Sequence, residues 1–325
     1  MKSQPGISIL IPNFNGLGLL EENLPYALKA AENSGVQCEL VVADDASSDQ
    51  SCAFVEREYP QIKLVRGDIN LGFAGNCNRG AGYCQNEWIL LLNSDVKLHP
   101  DYLRLLLPFT VDQRVFGLSG SIWPDGPGPL MDAGKFPCWK GVMLNTTTNF
   151  KAKPDAGNAF PSLFLSGAAS LLNAEKFRAL GGFQELFNPY YFEDAEIAIH
   201  AWRRGWSSHY VPEAKCFHRI SSTIANTSKR ETVKMVARRN KFLLHEIHLG
   251  GFRRFLWKIS MLFYRFMAFL NPSSVSSKAF YEYRLRQEKA QSIREKIEAH
   301  PGTLSLSQVV NQLQAELKGK TEALF

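Results

Sequence analysis

ISILIPNFNG (7–16), LGLLEENLPYALKAAENSG (17–35) and ELVVADDASSD (39–49) decide how this chain folds. The outer two segments open with unbroken apolar runs rich in β-branched residues, the pattern of strands covered on both faces. Between them apolar positions recur at helical spacing, and the pattern closes on Gly35. The unit reads as strand, helix, strand.

The alternation continues outward through an amphipathic stretch (51–59), a short strand (62–65), a glycine-rich segment with a helix (72–85) and the apolar run WILLL (88–92). Such alternation predicts an α/β fold with a mostly parallel sheet and helices on both faces. Ligands of these sheets bind beyond the carboxyl ends of the strands. Here those ends carry Pro12-Asn13, Asp44-Asp45 and Asn93-Ser94-Asp95, three polar clusters expected on one edge. Residues 120–161 are rich in Pro, Gly and Asn and read as long loops over that edge. Order returns over 162–217 with a strand-like run, a helix, a second helix beginning near Glu193 and a strand at 208–217.

With 325 residues, 45% hydrophobic and 12% aromatic, the chain can bury a sizeable core. A net charge of +6, spread among both signs, gives no case for a nucleic-acid partner. The six cysteines form no CxxC pair and read as reduced thiols suited to the cytoplasm. The apolar run near the N-terminus is too short for a signal peptide or a membrane span.

Asp44 and Asp45 follow a buried strand, where a carboxylate can accept a nucleobase N–H or simply cap the next helix. Asp95 ends the most apolar strand, where an ionised group needs solvent, an ion pair or a cation. That position suits a ligand of Mg2+ or Mn2+, with substrate diphosphate oxygens completing the shell. His218, just past the late strand, is a candidate second ligand. Glu193-Asp194 sit where the aromatic loop NPYYF enters a helix, so they favour the helix dipole whether or not they react. Read chemically, Asp194 takes the proton of an attacking hydroxyl and Glu193 helps to place the acceptor. NLGFAGNCNRG (70–80) has neither a dinucleotide fingerprint nor a Walker loop, yet lets backbone amides approach a nucleotide. His245-Glu246-Ile247-His248 lacks the HExxH frame and reads as structural.

Taken in order, SILIPNFNG, VVADDASSDQS, NLGFAGNCNRG, LLLNSDV, SGAASLLNAEKFRALGGF and FEDAEIAIHAWRRGW resemble the family 2 nucleotide-sugar glycosyltransferases, especially bacterial rhamnosyltransferase-like members, over roughly residues 6–223. The resemblance implies a GT-A fold and an inverting transferase that moves a sugar from a UDP- or dTDP-linked donor to a glycan or lipid-linked acceptor in cell-surface polysaccharide synthesis. By position it implies Pro12, Asn15, Asp44, Asp45, Asn70, Gly72, Asn78, Asn93 and Ser94 for the nucleotide-sugar. It implies Asp95 and His218 for the metal and Asp194 for the base. Departures stand at Ser94, Gln184, Glu196 and His200, which blur donor and acceptor identity. Transfer to a polyprenyl phosphate and a non-catalytic nucleotide-sugar-binding protein are the alternatives.

Residues 1–223 therefore read as the catalytic domain and 224–325 as a basic, amphipathic helical region, with helices over 229–270 and 278–298. The stretch 250–270 is apolar and aromatic but carries Arg253, Arg254, Lys258 and Arg265. Such a helix lies on a bilayer surface, peripheral on the cytoplasmic face, or packs on the catalytic domain.

Overall fold

The computed structural model describes residues 5–153, 157–219 and 230–325. The chain opens β1 (Ile7–Asn13), α1 (Leu17–Asn33), β2 (Cys38–Asp44), α2 (Ser51–Glu58), β3 (Lys63–Arg66), α3 (Gly72–Ala81) and β4 (Trp88–Leu92). It continues β5 (Val96–Leu98), α4 (Tyr102–Leu106), β6 (Val115–Pro124) and the short strands β7 (Gly134–Lys135), β8 (Cys138–Lys140), β9 (Met143–Asn145), β10 (Asn149–Ala152) and β11 (Phe160–Pro161). Then come β12 (Ala169–Asn173), α5 (Ala174–Ala179), α6 (Glu193–Arg203) and β13 (Ser207–His218). The last part is α7 (Arg230–His248), α8 (Gly251–Leu270), α9 (Val275–Glu298), α10 (Leu306–Leu317) and β14 (Thr321–Leu324).

Nine strands form the main sheet, in the order β11-β13-β6-β12-β4-β1-β2-β3 with β5 added on β13. β3, β2, β1 and β4 run parallel, β12 lies antiparallel between β4 and β6, and β13 is parallel to β6. The expected mostly parallel sheet is thus present. β1 explains why both faces are covered. Ile7, Ile9 and Ile11 point to the face that holds Leu20, Leu24 and Ala27 of α1, while Leu10 points to the face of Cys77 and Ala81 of α3. The run Ile9–Pro12 is therefore apolar on both faces, and alternation disappears there.

Three details differ from the sequence reading. The run over 162–172 yields strand only from Ala169, because Ser162 to Ala168 leave the sheet as a loop. The expected long helix over 229–270 is two helices, broken at Leu249-Gly250, and Gly251 has φ +53°. The loop region 120–161 contains short strands, of which β10 pairs with both β7 and β14 from the end of the chain. The expected boundary at 223/224 and residues 154–156 of that loop region lie outside the described residues. Phe187, Ala195 and Trp202 share one apolar cluster with Phe242, Trp257, Tyr283 and Leu313, so the C-terminal helices close over the α6 side of the α/β part.

Candidate active site

The loops after β1 and β2 hold each other. Asn15, at φ +49°, accepts from the Ser48 amide at 2.7 Å, and its own amide donates to Ser47 Oγ at 2.8 Å. Asp44 accepts from Asn13 Nδ2 (2.9 Å), Ser47 Oγ (2.6 Å) and the Ser47 amide (2.9 Å), so this buried carboxylate shapes the turn it opens. Asp45 accepts from the amides of Leu71 and Gly72, each at 2.9 Å, and from Arg79 at 3.1 Å. Gly72 has φ +73°, a backbone state that a side chain would strain, and Asn70 Oδ1 accepts from the same amide. Pro12 is buried in the end of β1. Asn78 lies apart from this rim, with its amide bonded to both the N–H and the C=O of Phe183 at 2.8 Å. It fastens α3 to the Gly181-Gly182-Phe183 turn.

At the end of β4, Asn93 Oδ1 and Asp95 Oδ1 are buried without a hydrogen-bond partner, and Asn23 holds the Ser94 carbonyl at 2.7 Å. The antiparallel register of β5 with β13 sets Val96 opposite His218. That pairing brings His218 Nε2 to 3.2 Å from Asp95 Oδ2 across more than a hundred residues of chain. A carboxylate with one orphaned oxygen beside an imidazole is a donor set that fits Mn2+ or Mg2+. Among the described residues no three His, Cys, Asp or Glu side chains form a metal group, so substrate oxygens would have to finish the shell. A cleft of about 510 Å³ is lined by Tyr26, Lys97 and Phe217 and by neither member of this pair. Lys97 and Phe217 alternate with Val96 and His218, so the cleft opens on the opposite face of the β5–β13 ribbon.

Glu193 and Asp194 form the first turn of α6, entered through Tyr191 and Phe192 in left-handed conformations of φ +74° and +79°. Strain of that kind persists only when the surroundings dictate it. They do so here through α7. Asn240, fully buried, shares its amide hydrogens among the carbonyls of Phe187, Tyr190 and Tyr191 at 2.6–2.9 Å, and Arg239 donates to Phe187 and Asn188. Asp194 accepts from the Gly167 amide at 3.1 Å and the Ala195 amide at 2.7 Å. Burial raises its carboxyl, and those two bonds and the Lys135 charge work against the rise. Glu193 is almost fully buried, and desolvation with the neighbouring Asp194 charge pushes it up to about 8. Both carboxyls are thus raised by burial, and only Asp194 has backbone amides from two segments to hold its charged form.

Sequence reasoning did not single out Gly167, Lys135, Arg239 or Asn240. Gly167 lies inside the quoted SGAAS motif, so its signal was present. Lys135, paired with Asp132 and bonded to Asn149 at 2.8 Å, and the α7 pair have no local signature. His245 and His248 are structural: both are buried, and His245 Nε2 accepts from the Leu144 amide at 2.8 Å.

Helices on both faces of a mostly parallel sheet, with polar clusters at the strand ends, make the architecture of the GT-A class of glycosyltransferase fold. The sequence model described as "Glycosyl transferase family group 2" matches residues 88–283, and that described as "Glycosyl transferase family 2" matches residues 8–165. The chain belongs to glycosyltransferase family 2. N-acetylglucosaminyl-diphospho-decaprenol L-rhamnosyltransferase of Mycobacterium tuberculosis is 24% identical over 242 residues, covering 66% of this chain and 76% of that protein. Among solved structures, GalNAc-T7 with UDP, GalNAc and Mn2+ superposes with a TM-score of 0.67 at 14% identity, over 98% of this chain and 58% of that one. The mannosyltransferase PcManGT from Pyrobaculum calidifontis, in complex with GDP-Man and Mn2+, gives 0.53 at 14% identity, over 98% and 81%. At that identity the two structures speak for the fold.

Proposed function

We propose that the chain is a metal-dependent, inverting transferase that moves one sugar from a UDP- or dTDP-sugar to a hydroxyl of a lipid-linked glycan acceptor in cell-surface polysaccharide synthesis. The observation that supports the reading is Asp194, raised by burial and held by the amides of Gly167 and Ala195, since Ala168, next to Gly167, accepts from the Asn93 amide at 2.9 Å two residues before the Asp95 that meets His218. The acceptor hydroxyl gives its proton to Asp194 as its oxygen bonds to the anomeric carbon, and the bond from that carbon to the diphosphate breaks on the opposite side. One displacement inverts the centre and needs no protein nucleophile. Asp95 and His218 would hold Mn2+ or Mg2+, which would neutralise the charge on the departing diphosphate. The rim of Asn15, Asp44, Asp45, Asn70 and Gly72 receives the nucleotide. The Mycobacterium tuberculosis relative, named for a decaprenol-linked acceptor, supports a lipid-carried acceptor. Such an acceptor would hold the reaction at the cytoplasmic face of a membrane.

The test is nucleoside-diphosphate release from a panel of UDP-, dTDP- and GDP-sugars with Mn2+, Mg2+ or EDTA. Asp194→Asn is expected to lose about a hundredfold to ten-thousandfold in rate with donor binding retained, and Asp95→Ala to lose the metal response. Turnover that survives Asp194→Asn sinks the assignment of the base.

A further inference from the structure

α8 is apolar on two opposite sides, and only one of them is covered. Trp257 and Ala268 are buried, and Met261 and Tyr264 pack against the same cluster. On the other side Phe252, Phe255, Leu262, Phe263, Phe266 and Phe269 lie open, with Phe252 73%, Leu262 65% and Phe269 80% exposed. At 3.6 residues per turn these six fall within one arc of about 120° along the length of the helix. Water gains nothing from such a stripe, and a folded protein rarely leaves one this continuous uncovered.

We infer that this face of α8 is a docking surface for an anionic lipid bilayer, on which the helix lies flat. Charge selects the occupant. α8 contains Arg253, Arg254, Lys258 and Arg265 and no acidic residue. Arg253 stacks on Trp139 and Arg254 pairs with Glu246, whereas Lys258 and Arg265 are exposed, two turns apart along one border of the apolar arc. Phenylalanines in an arc with lysine and arginine at its border match the boundary between acyl chains and anionic headgroups. A second copy laid on the same face would bring cations toward cations with no anion on either helix to meet them. Among the described residues no helix is long and apolar enough to cross a membrane, so α8 rests on the surface. The benefit of docking rests on the lipid-carried acceptor proposed above, but the docking itself does not.

The full chain is floated with vesicles of phosphatidylcholine alone and of equal parts phosphatidylcholine and phosphatidylglycerol, at low and high salt. The wild type is expected to rise with the anionic vesicles, less so at high salt. Phe255→Ser/Phe263→Ser/Phe266→Ser should lower partition by about tenfold or more, with an unchanged circular dichroism spectrum because these side chains make no core. Lys258→Glu/Arg265→Glu should remove the preference for anionic lipid. A wild type that stays below both vesicle types overturns the proposal, as does a triple variant that floats like wild type. A concentration-dependent dimer in sedimentation that the triple variant dissolves assigns the face to a second copy instead. Flotation uses neither donor nor acceptor. A chain that floats but turns over no donor leaves docking standing and removes the transfer reading, and an active chain that never floats does the reverse.

Discussion

Replacing Glu196 by glutamine is expected to stabilise the protein, and by an amount that depends on pH. Glu196 is 1% exposed on α6, and neither of its carboxyl oxygens has a hydrogen-bond partner. His248 Nε2 lies 3.4 Å away, but burial drives that imidazole well below its ordinary range, so it brings no charge to balance a carboxylate. Burial pushes Glu196 up from 4.5 to about 8, and the Arg203 charge offsets only part of this. The fold therefore holds the proton more tightly than the unfolded chain does. Its contribution is whole below about pH 4.5 and is lost as pH rises through about 8. Over that window the penalty grows by roughly 1.4 kcal/mol per pH unit and reaches roughly 3 kcal/mol at pH 7. Glutamine keeps the shape and has nothing to ionise. Urea unfolding of both proteins from pH 5 to pH 8 reads the difference directly. The variant's advantage should be small at pH 5 and rise steadily toward pH 8. A difference that stays flat over that range would refute the argument, because a purely steric effect has no reason to follow pH.

Three further outcomes follow from the same geometry. Glu193, held up to about 8, is mostly protonated at neutral pH. Glu193→Gln should thus keep the pH 7 transfer rate within about twofold, and a rate profile showing a loss comparable with Asp194→Asn would mean that Glu193 itself takes the proton. Asn240→Ala strips the hydrogen bonds from three carbonyls of the loop that aims α6. It should lower both kcat and unfolding stability, the latter by about 2–4 kcal/mol, and full kcat in a folded variant would show that the loop holds its shape unaided. Glu246 accepts from Arg254, Trp257 and Tyr283 inside the C-terminal core. Glu246→Leu should cost about 3–5 kcal/mol in urea unfolding by leaving those donors buried and unmatched, and a change under about 1 kcal/mol would show that water replaces the carboxylate.

The parallel half of the sheet was legible because its central strands β1, β2 and β4 carry runs apolar on both faces, and WILLL became β4 residue for residue. The strand ends gave Asp44, Asp45 and Asp95 their places by topology alone. What stayed hidden depends on partners distant in sequence. β7, β10 and β14 are too short to show a period and exist because they pair with one another. α10 lay past the last helix that the sequence reading drew, although Ser305 and Gln308 form a capping box at its start. The duty of Asn78 toward Phe183 and of Asn240 toward the α6 loop cannot be read from an asparagine in a string, since its amide can face a nucleotide or a backbone equally well. For α8 the sequence left surface and packing as rivals, and the fold packs one face while leaving the other exposed.

The pairing of β5 with β13 has a temporal consequence. Asp95 arrives early in the chain and His218 late, and only the ribbon between them sets the imidazole beside the carboxylate. Contacts between residues so far apart form slowly, after the intervening segments have found their own partners. During synthesis the loops after β1 and β2 can assemble while β13 is still inside the ribosome, but the carboxylate–imidazole pair cannot. A chain stalled halfway is thereby able to shape those loops without completing the pair proposed to hold the cation, so on that proposal turnover reports a finished fold.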